Sequence, residues 1–175
     1  MLKKTIGKKA LSVEKPRLNM RNTTLCYLEQ GGKYLMMHRI KKENDLNKDK
    51  WIGIGGKFEE GESPEECLLR EFREETGLLL DDWHYRGIVT FVSEGWGTEY
   101  MHLFCSTRFH GTLRDCEEGS LEWIDKRELL QKEIWEGDKI FLRLLDEEIP
   151  FFSLKLCYEG DTITCAVLNG TPLSL

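Results

Sequence analysis

Long hydrophobic runs are absent from the sequence. No stretch approaches the roughly 20 apolar residues that a membrane-spanning helix needs. The opening residues, MLKKTIGKK, also lack the apolar segment of a secretory signal. We therefore expect a cytoplasmic protein with no membrane attachment.

An excess of positive charge is also lacking. The chain carries 25 Lys and Arg against 31 Asp and Glu, which gives a formal net charge of -6. A negative chain has little bulk attraction for phosphate backbones, so we expect no stable complex with nucleic acid. A small phosphate-bearing ligand would need a local positive site.

Paired cysteine motifs are missing as well. None of the six cysteines belongs to a C-x-x-C pair, and most lie in apolar runs typical of strands or helices. This pattern favours reduced core thiols over disulfides or a zinc site. The four histidines show no metal-ligand spacing either. The cysteines are Cys26, Cys67, Cys105, Cys116, Cys157 and Cys165.

The length of 175 residues suits one ordinary core, so we expect a single globular domain. We also expect a monomer. Residues 1–19 are basic and almost without aromatic groups, which predicts a flexible extension ahead of a domain at 20–175. A membrane anchor or a nucleic-acid arm is the alternative, but the apolar residues of this segment keep no helical period.

Strands and helices are mixed along the rest of the chain, which predicts an α/β fold. Strand-like runs occupy 25–28, 34–39, 86–92, 100–106 and 121–124, and a helix is expected near 139–147. Two closing runs, 151–158 and 162–168, flank Glu159-Gly160-Asp161 and predict a hairpin.

A further helix is predicted at 64–76 by signals at both of its ends. Ser63 is placed to be the N-cap, Pro64 takes the first helical position, and Glu66 completes a capping box. Gly77 fits the C-terminal stop.

Three carboxylates crowd one face of that helix. Glu71, Glu74 and Glu75 stand at positions i, i+3 and i+4. One interpretation is a solvated face with weak ion pairs. The other is a metal site, because Gly53, Gly55 and Gly56 just upstream can expose main-chain carbonyls. Hard oxygen donors of this kind suit a magnesium-bound polyphosphate.

The stretch GGKFEEGESPEECLLREFREETGL resembles the Nudix box, Gly-x5-Glu-x7-Arg-Glu-U-x-Glu-Glu-x-Gly-U, where U is a bulky aliphatic residue. Its one departure is the aromatic Phe72. The resemblance implies a Nudix fold, a mixed β-sheet sandwiched between α-helices, and metal-dependent hydrolysis of a nucleoside diphosphate derivative with Mg²⁺ or Mn²⁺. The matching residues are Gly56, Glu62, Arg70, Glu71, Phe72, Glu74, Glu75, Gly77 and Leu78.

The same resemblance implies roles for the residues of the box. The metal ligands would be the carbonyl of Gly55 and the carboxylates of Glu71, Glu74 and Glu75, joined by Glu118 from the later segment DCEEGSLEWI. Either Glu71 or Glu118 would be the general base. Arg70 would orient the neighbouring glutamates, and Glu62 would have either a family role or a favourable place at the helix N-terminus.

Segments outside the box, including EEGSLEW and IWEGDKIFLRLL, resemble MutT-like 8-oxo-dGTP diphosphatases. We expect Arg39 and Lys57 to contact phosphate. Base contacts are expected from three residues that each have a structural alternative: Trp135 by stacking or as a core anchor, Asp138 by hydrogen bonding or as a helix N-cap, and Phe91 as a pocket wall or as core.

Two positions depart from the related animal enzymes: Ile52 stands where an asparagine reads the base, and Gly137 replaces one of two adjacent acids. A carboxylate can accept hydrogen bonds from N1 and the exocyclic amine of guanine, but these donors are the same in the oxidised and the normal base. A preference for the oxidised base therefore requires a further contact at N7 or O8.

The leading hypothesis is a Mg²⁺-dependent hydrolase that releases nucleoside monophosphate and pyrophosphate. The alternatives are another nucleotide substrate, such as an RNA 5′ end or a dinucleoside polyphosphate, and a binding module that does not cleave. Only four prolines are present, and the one that marks many ADP-ribose hydrolases beyond the box is missing. All the box glutamates are present, which favours an enzyme.

Overall fold

The computed structural model describes residues 20–43 and 45–175, so the expected extension at 1–19 lies outside the described residues. The strands are β1 (Met20–Gln30), β2 (Lys33–His38), β3 (Trp51–Ile52), β4 (Leu78–Leu80), β5 (His84–Ser93), β6 (Gly97–Ser106), β7 (Phe109–Gly111), β8 (Ser120–Asp125), β9 (Phe152–Glu159), β10 (Thr162–Leu168) and β11 (Thr171–Pro172). The helices are α1 (Pro64–Thr76), α2 (Lys126–Leu129) and α3 (Glu136–Asp146). None of these helices is long and apolar enough to cross a membrane.

Nine strands form one mixed sheet. Its order is β11-β10-β9-β5-β6-β1-β2-β3, and β8 also pairs with β2. The pairs β1–β6 and β5–β9 are parallel, whereas the remaining neighbours along the sheet are antiparallel. The short strands β4 and β7 form a separate pair. This arrangement is the α/β fold expected from the sequence.

The two faces of the sheet carry two cores because side chains alternate along each strand. In β1, Leu25 and Tyr27 face the core that also contains Phe141 of α3. Cys26 and Leu28 face the core on the other side, which α1 covers with Leu68 and Phe72. The sheet is therefore sandwiched between helices, and the aromatic Phe72 packs fully in an aliphatic position.

Helix α1 has the bounds that its end signals predict. The Ser63 hydroxyl accepts from the amide of Glu66, whose carboxylate accepts from the amide of Ser63 at 2.8 Å. Gly77 ends the helix with a φ of 76° and donates its amide to the carbonyl of Arg73. The predicted hairpin is also present, because β9 and β10 pair around Gly160, which has a φ of 58°.

Helix α3 begins three residues earlier than expected. Trp135 is its N-cap residue and makes no side-chain capping bond, whereas Asp138 lies within the first turn. The interpretation of Asp138 as an N-cap is therefore wrong, and its carboxyl group does not cap the helix. The short elements β3, β4, β7, β11 and α2 were not predicted from the sequence.

Candidate active site

The loop before α1 is hydrogen-bonded onto the central strand β1. The amide of Thr24 donates to the carbonyl of Gly56 at 2.8 Å, and Cys26 exchanges two bonds with Ile54, at 2.7 and 3.0 Å. A Cβ on Gly55 would collide with the carbonyl of Thr24, so this position requires glycine. No donor in the described part of the chain reaches the Gly55 carbonyl, which leaves its oxygen available to a ligand.

Helix α1 brings its carboxylates against this loop. The Gly55 amide donates to Oε2 of Glu75 at 3.2 Å. Gly56 has no room for a side chain, because a Cβ there would overlap the carboxyl group of Glu71. The side chain of Glu71 is 16% exposed and that of Glu74 is 61% exposed. Glu71 and Glu75 therefore face the loop, whereas Glu74 lies at the surface.

Arg70 connects the acidic residues of this helix. Its guanidinium donates to both carboxylate oxygens of Glu62, at 2.6 and 2.8 Å, and to Oε1 of Glu71 at 2.9 Å. It also donates to the carbonyl of Lys57 at 3.0 Å and to Glu74 at 3.4 Å. The hydrogen bonds from Arg70 lower the pKa of Glu62 to about 2. Glu62 thus fixes the arginine, which in turn orients Glu71.

Glu118 enters the site from the loop before β8. Gly119 brings this loop onto β2, because a Cβ there would overlap the carbonyl of His38. The carboxylate of Glu118 accepts from both Arg39 and Lys42. Partial burial opposes ionisation, but the hydrogen bonds and charges of Lys42 and Arg39 outweigh it and lower the pKa of Glu118. Arg39 is further fixed by Asp45, with a distance of 2.6 Å from Nε to Oδ2.

Glu75 differs from the other acids because its negative charge is poorly compensated. Burial, followed by the charges of Glu118 and Glu71, raises the pKa of Glu75 to about 8. The bond from the Gly55 amide and the charge of Arg39 act in the opposite direction. A cation among these three carboxylates would remove the repulsion between them.

The described residues contain no ready-made cluster of three or more His, Cys, Asp or Glu side chains around one point. Each acid instead has its own protein donor: Arg70 for Glu71, the Gly55 amide for Glu75, and Arg39 with Lys42 for Glu118. The carboxylates of Glu71, Glu75 and Glu118 are nevertheless hard oxygen ligands, and the negative charge of Glu75 is only partly offset. These groups fit a divalent ion such as Mg²⁺.

One cavity of about 490 Å³ joins most of the residues predicted from the sequence. Its lining includes Arg39, Gly55, Lys57, Glu71, Glu75, Phe91, Glu118, Trp135 and Asp138. Of the predicted residues, only Arg70 and Glu74 are absent from this lining.

Aromatic side chains form one wall of the cavity. Trp135 donates its indole N–H to Oδ1 of Asn47 at 2.9 Å, and its ring meets Tyr158 edge-on with 5.9 Å between centroids. Phe91 lies 4.8 Å from the same tyrosine. The amide of Gly137 donates to the Tyr158 hydroxyl at 2.7 Å. Tyr158 therefore supports this wall from behind, although it comes from β9, far along the chain.

Asp138 is the acidic group at this wall. Its side chain makes no hydrogen bond to any residue within 20–43 and 45–175. Burial raises the pKa of Asp138 to about 7, and the charge of Lys50 reduces the effect. Near neutral pH the carboxyl group is therefore partly protonated, so that it can donate as well as accept a hydrogen bond.

Several residues of the site were missed by the sequence analysis. Lys42, Asp45 and Asn47 lie in the polar loop between β2 and β3, where nothing in the local sequence marks them as site residues. Arg21, Thr23 and Glu99 also line the cavity, and the Thr23 hydroxyl donates to Glu99 at 2.8 Å.

Comparisons with known proteins identify the family of the chain. The sequence profile of the NUDIX domain matches residues 19–145. Over 124 residues the chain is 32% identical to the oxidized purine nucleoside triphosphate hydrolase of Mus musculus, covering 70% of this chain and 79% of that protein. It is 30% identical over 115 residues to the CTP pyrophosphohydrolase of Escherichia coli K12, covering 65% and 82%.

The fold has solved counterparts as well. The crystal structure of a MutT protein from Bacillus halodurans superimposes with a TM-score of 0.75 at 26% identity, over 87% of this chain and 99% of that one. The box residues, the mixed sheet and these matches lead to one conclusion. The chain belongs to the Nudix family and is a MutT-like Nudix hydrolase.

Proposed function

We propose that this enzyme is a Mg²⁺-dependent pyrophosphohydrolase of nucleoside triphosphates that acts on oxidised purine nucleotides, with 8-oxo-dGTP as the leading substrate. One observation carries the proposal: a single cavity is lined both by the carboxylates of Glu71, Glu75 and Glu118 and by the aromatic wall with Asp138. A nucleoside triphosphate has the matching parts, a polyphosphate that binds metal and a flat base with polar edges.

The metal would be bound by the Gly55 carbonyl and by carboxylates from α1 and the Glu118 loop, with Mn²⁺ as a possible substitute. When bound, such an ion neutralises phosphate charge and lowers the pKa of a coordinated water. Either Glu71 or Glu118 accepts the proton of the attacking water. Arg70 positions Glu71. The chain as a whole is negative, so Arg39 and Lys57 supply the local positive charge that the phosphates need.

The base would stack on Trp135 and be bounded by Phe91. Asp138, which has no hydrogen-bond partner among the described side chains, would bind the polar edge of the purine. The name of the mouse relative supports an oxidised purine. The name of the bacterial relative supports a cytidine nucleotide as the alternative substrate. Ile52 offers the base no polar group at the position where the resemblance to the animal enzymes implies an asparagine.

We also propose that the enzyme is a cytoplasmic monomer that acts on free nucleotides. Residues 20–175 would form the catalytic domain, and residues 1–19 would be an accessory extension. We propose no stable complex between this enzyme and nucleic acid.

Product analysis with Mg²⁺ tests the proposal. Values of kcat/KM would be compared for 8-oxo-dGTP, dGTP, dATP, dCTP, CTP and ADP-ribose. The expected result is monophosphate plus pyrophosphate, with at least about a tenfold preference for 8-oxo-dGTP, which corresponds to roughly 1.4 kcal/mol in the transition state. Faster cleavage of CTP would support the proposed hydrolysis but contradict the oxidised purine as the base that the enzyme prefers. Release of single phosphates would contradict a pyrophosphohydrolase.

Two matched pairs of variants test the carboxylates. Glu75→Gln and Glu118→Gln should lower kcat by at least about 100-fold, because each removes a charged metal ligand. The exposed Glu60 and Glu117 provide the controls, since neither lines the cavity and Glu117 is the immediate neighbour of Glu118. Full turnover by Glu75→Gln would contradict the assignment.

A further inference from the structure

Two free cysteines lie directly opposite each other on the hairpin of β9 and β10. Cys165 is the Cα partner of Cys157 in the antiparallel ladder, and both side chains are partly exposed. Three other cysteines, Cys26, Cys67 and Cys116, are buried in the core. The hairpin pair has no role in the hydrolysis proposed above.

The alignment of the two cysteines depends on a β-bulge. Near the turn, Ile163 pairs with Tyr158, so a regular ladder would place Thr164 opposite Cys157. The register shifts between Ile163 and Cys165, which moves Cys165 into that position. A bulge re-aims the side chains that follow it, and here it converts a Thr–Cys pair into a Cys–Cys pair.

Both thiols lie on the face of the sheet opposite α3. Alternate residues of β9, including Leu156 and Tyr158, are buried in the core under α3, so Cys157 between them points the other way. In β10 the neighbour of Cys165, Ala166, is buried in the same core. The two side chains therefore share one face of the sheet, and both residues are partly exposed.

The spacing of an antiparallel ladder suits a disulfide. Directly opposed residues have Cα atoms about 4.5 or 5.5 Å apart, depending on the type of pair. Disulfides span Cα separations of about 4.4–6.8 Å, so both types of pair fall within the range. Burial, followed by the hydrogen bond and charge of Cys165, raises the pKa of Cys157, as expected for two thiols in mutual contact.

We propose that Cys157 and Cys165 form a modification site, a dithiol that a hydroperoxide converts into an intramolecular disulfide. One thiolate attacks a peroxide oxygen, which breaks the O–O bond and gives a sulfenic acid plus water or an alcohol. The second thiol attacks the sulfenic sulfur, forms the S–S bond and releases water. The two thiols lose two electrons and two protons in total, and the hydroperoxide takes up both.

The disulfide would link the strands next to the base pocket. Tyr158 follows Cys157, and its hydroxyl and ring contact Gly137 and Phe91. Cross-linking at Cys157 therefore restrains the residue that supports the aromatic wall. The oxidised protein should show a Tm higher by a few degrees, because the bond constrains the unfolded chain.

Thiol counting after peroxide treatment tests the site. The reduced full-length protein would be treated with hydrogen peroxide, denatured, alkylated with N-ethylmaleimide and weighed intact. The expected product carries four labels instead of six, is 2 Da lighter before labelling, and yields a peptide that joins Cys157 to Cys165. Cys157→Ser and Cys165→Ser should each abolish the joined peptide, whereas Cys105→Ser, at another partly exposed cysteine, should retain it and carry three labels instead of five.

Phenylarsine oxide, which bridges close dithiols without oxidation, provides a second measurement. It should add one equivalent to the reduced wild-type protein and none to either hairpin variant. Six labels after peroxide, mass gains of 16 or 32 Da on separate cysteines, or loss of two thiols in Cys157→Ser would each overturn the proposal.

Discussion

Arg70 makes contacts that no other cation of α1 reproduces. Its planar guanidinium binds both oxygens of Glu62 while also reaching Glu71 and the Lys57 carbonyl. Arg70→Lys keeps the charge but loses this geometry. We expect kcat to fall by about 10–100-fold, as for other groups that orient metal ligands, together with a lower Tm.

Arg73→Lys is the matched control for this change, because Arg73 is exposed on the same helix and, among the described residues, its side chain binds none of the carboxylates that Arg70 binds. Both variants would be compared by steady-state kinetics and thermal unfolding. Wild-type kcat in Arg70→Lys would show that the arginine does not orient Glu71.

Asp138 should make stability depend on pH. Its pKa of about 7 lies above the ordinary value of about 3.9, so the folded chain binds more protons than the unfolded chain between about pH 4 and 7. The free energy of unfolding therefore falls as pH rises through this window. Asp138→Asn stays neutral and should be more stable than the wild type at pH 8 by about 1–3 kcal/mol, with little difference at pH 4.

Thermal unfolding at pH 4 and pH 8 checks this expectation, since each kcal/mol moves Tm by about 2–4 °C in a chain of this size. The exposed neighbour Glu136 gives the control variant Glu136→Gln. The same Asp138→Asn change should weaken nucleotide binding, so that stability and activity move in opposite directions. Equal Tm differences at both pH values would contradict the raised pKa.

Sequence alone located the residues whose neighbours are close along the chain. Glu71, Glu74 and Glu75 share one helix, so their spacing fixes their common face. The contact of Asn47 with Trp135 spans 88 positions, and that of Arg39 with Glu118 spans 79. Such contacts exist only after the sheet forms, and the local sequence carries no signal for them. The resemblance to a family, rather than any local pattern, pointed to Glu118 and Asp138.

The packing between α3 and β9 leaves no room for a side chain at Gly137. A Cβ at Gly137 would lie 2.5 Å from the Tyr158 hydroxyl and 2.6 Å from Cδ1 of Leu156. Gly137→Ala should therefore lower stability by about 1–3 kcal/mol and raise KM for the nucleotide.

Removing the hydroxyl tests this explanation. Tyr158→Phe should relieve part of the overlap, so the double variant should lose less than the sum of the two single losses. Chemical denaturation of the four proteins measures the coupling. Strict additivity would show that Gly137 is not limited by Tyr158.

The turn between β6 and β7 depends on Asp82, which lies outside both strands. Its carboxylate accepts from the amides of Thr107 and Arg108, at 2.9 and 3.0 Å, and from the hydroxyl of Ser106 at 2.9 Å. Burial opposes ionisation, but these hydrogen bonds outweigh it and lower the pKa of Asp82. The stabilisation is present above the ordinary pKa of about 3.9 and is lost as pH falls through the lower folded value.

Asp82→Asn should therefore cost about 1–3 kcal/mol at pH 7 and progressively less in acid. The neighbouring Asp81 pairs with His110 at the surface, so Asp81→Asn should cost less than about 1 kcal/mol. Urea denaturation at pH 7 and pH 3 separates the two cases. A loss in Asp82→Asn that grows in acid would contradict the sign of the pKa shift.

The longer elements could be predicted because their signals are local. Ser63 and Gly77 mark the ends of α1, and alternating residues mark β9. The two- and three-residue strands β3 and β4 have no such signals, and they become strands only because β2 and β7 lie beside them. Helix α3 was placed too late because Asp138 resembles a cap residue, although Trp135 takes that position without a side-chain bond.

The family profile ends at residue 145, but the sheet continues beyond it. Strand β9 pairs with β5 and buries Phe152, Leu154, Leu156 and Tyr158 in the core under α3. Each such side chain contributes about 1.5–3 kcal/mol on burial, and the sum is comparable to the total stability of a domain, about 5–15 kcal/mol. A chain truncated after Asp146 should therefore lose cooperative unfolding.

Circular dichroism during heating would measure that loss. A chain that begins at Met20 serves as the comparison and should unfold cooperatively and retain activity, in keeping with an accessory role for residues 1–19. A folded, active protein that ends at Asp146 would show that β9–β11 is dispensable.

The hydrogen bonds between the glycine loop and β1 link catalysis to the integrity of the whole sheet. Thr24 and Cys26 lie on a central strand, and the same strand fixes Gly56 and Ile54. The loop cannot detach from β1 without the loss of hydrogen bonds at the centre of the sheet. Partial unfolding that leaves the sheet intact should therefore leave the site intact as well. Heat inactivation should therefore follow the same curve as global unfolding, and the active enzyme should persist unchanged until it is lost in a single step.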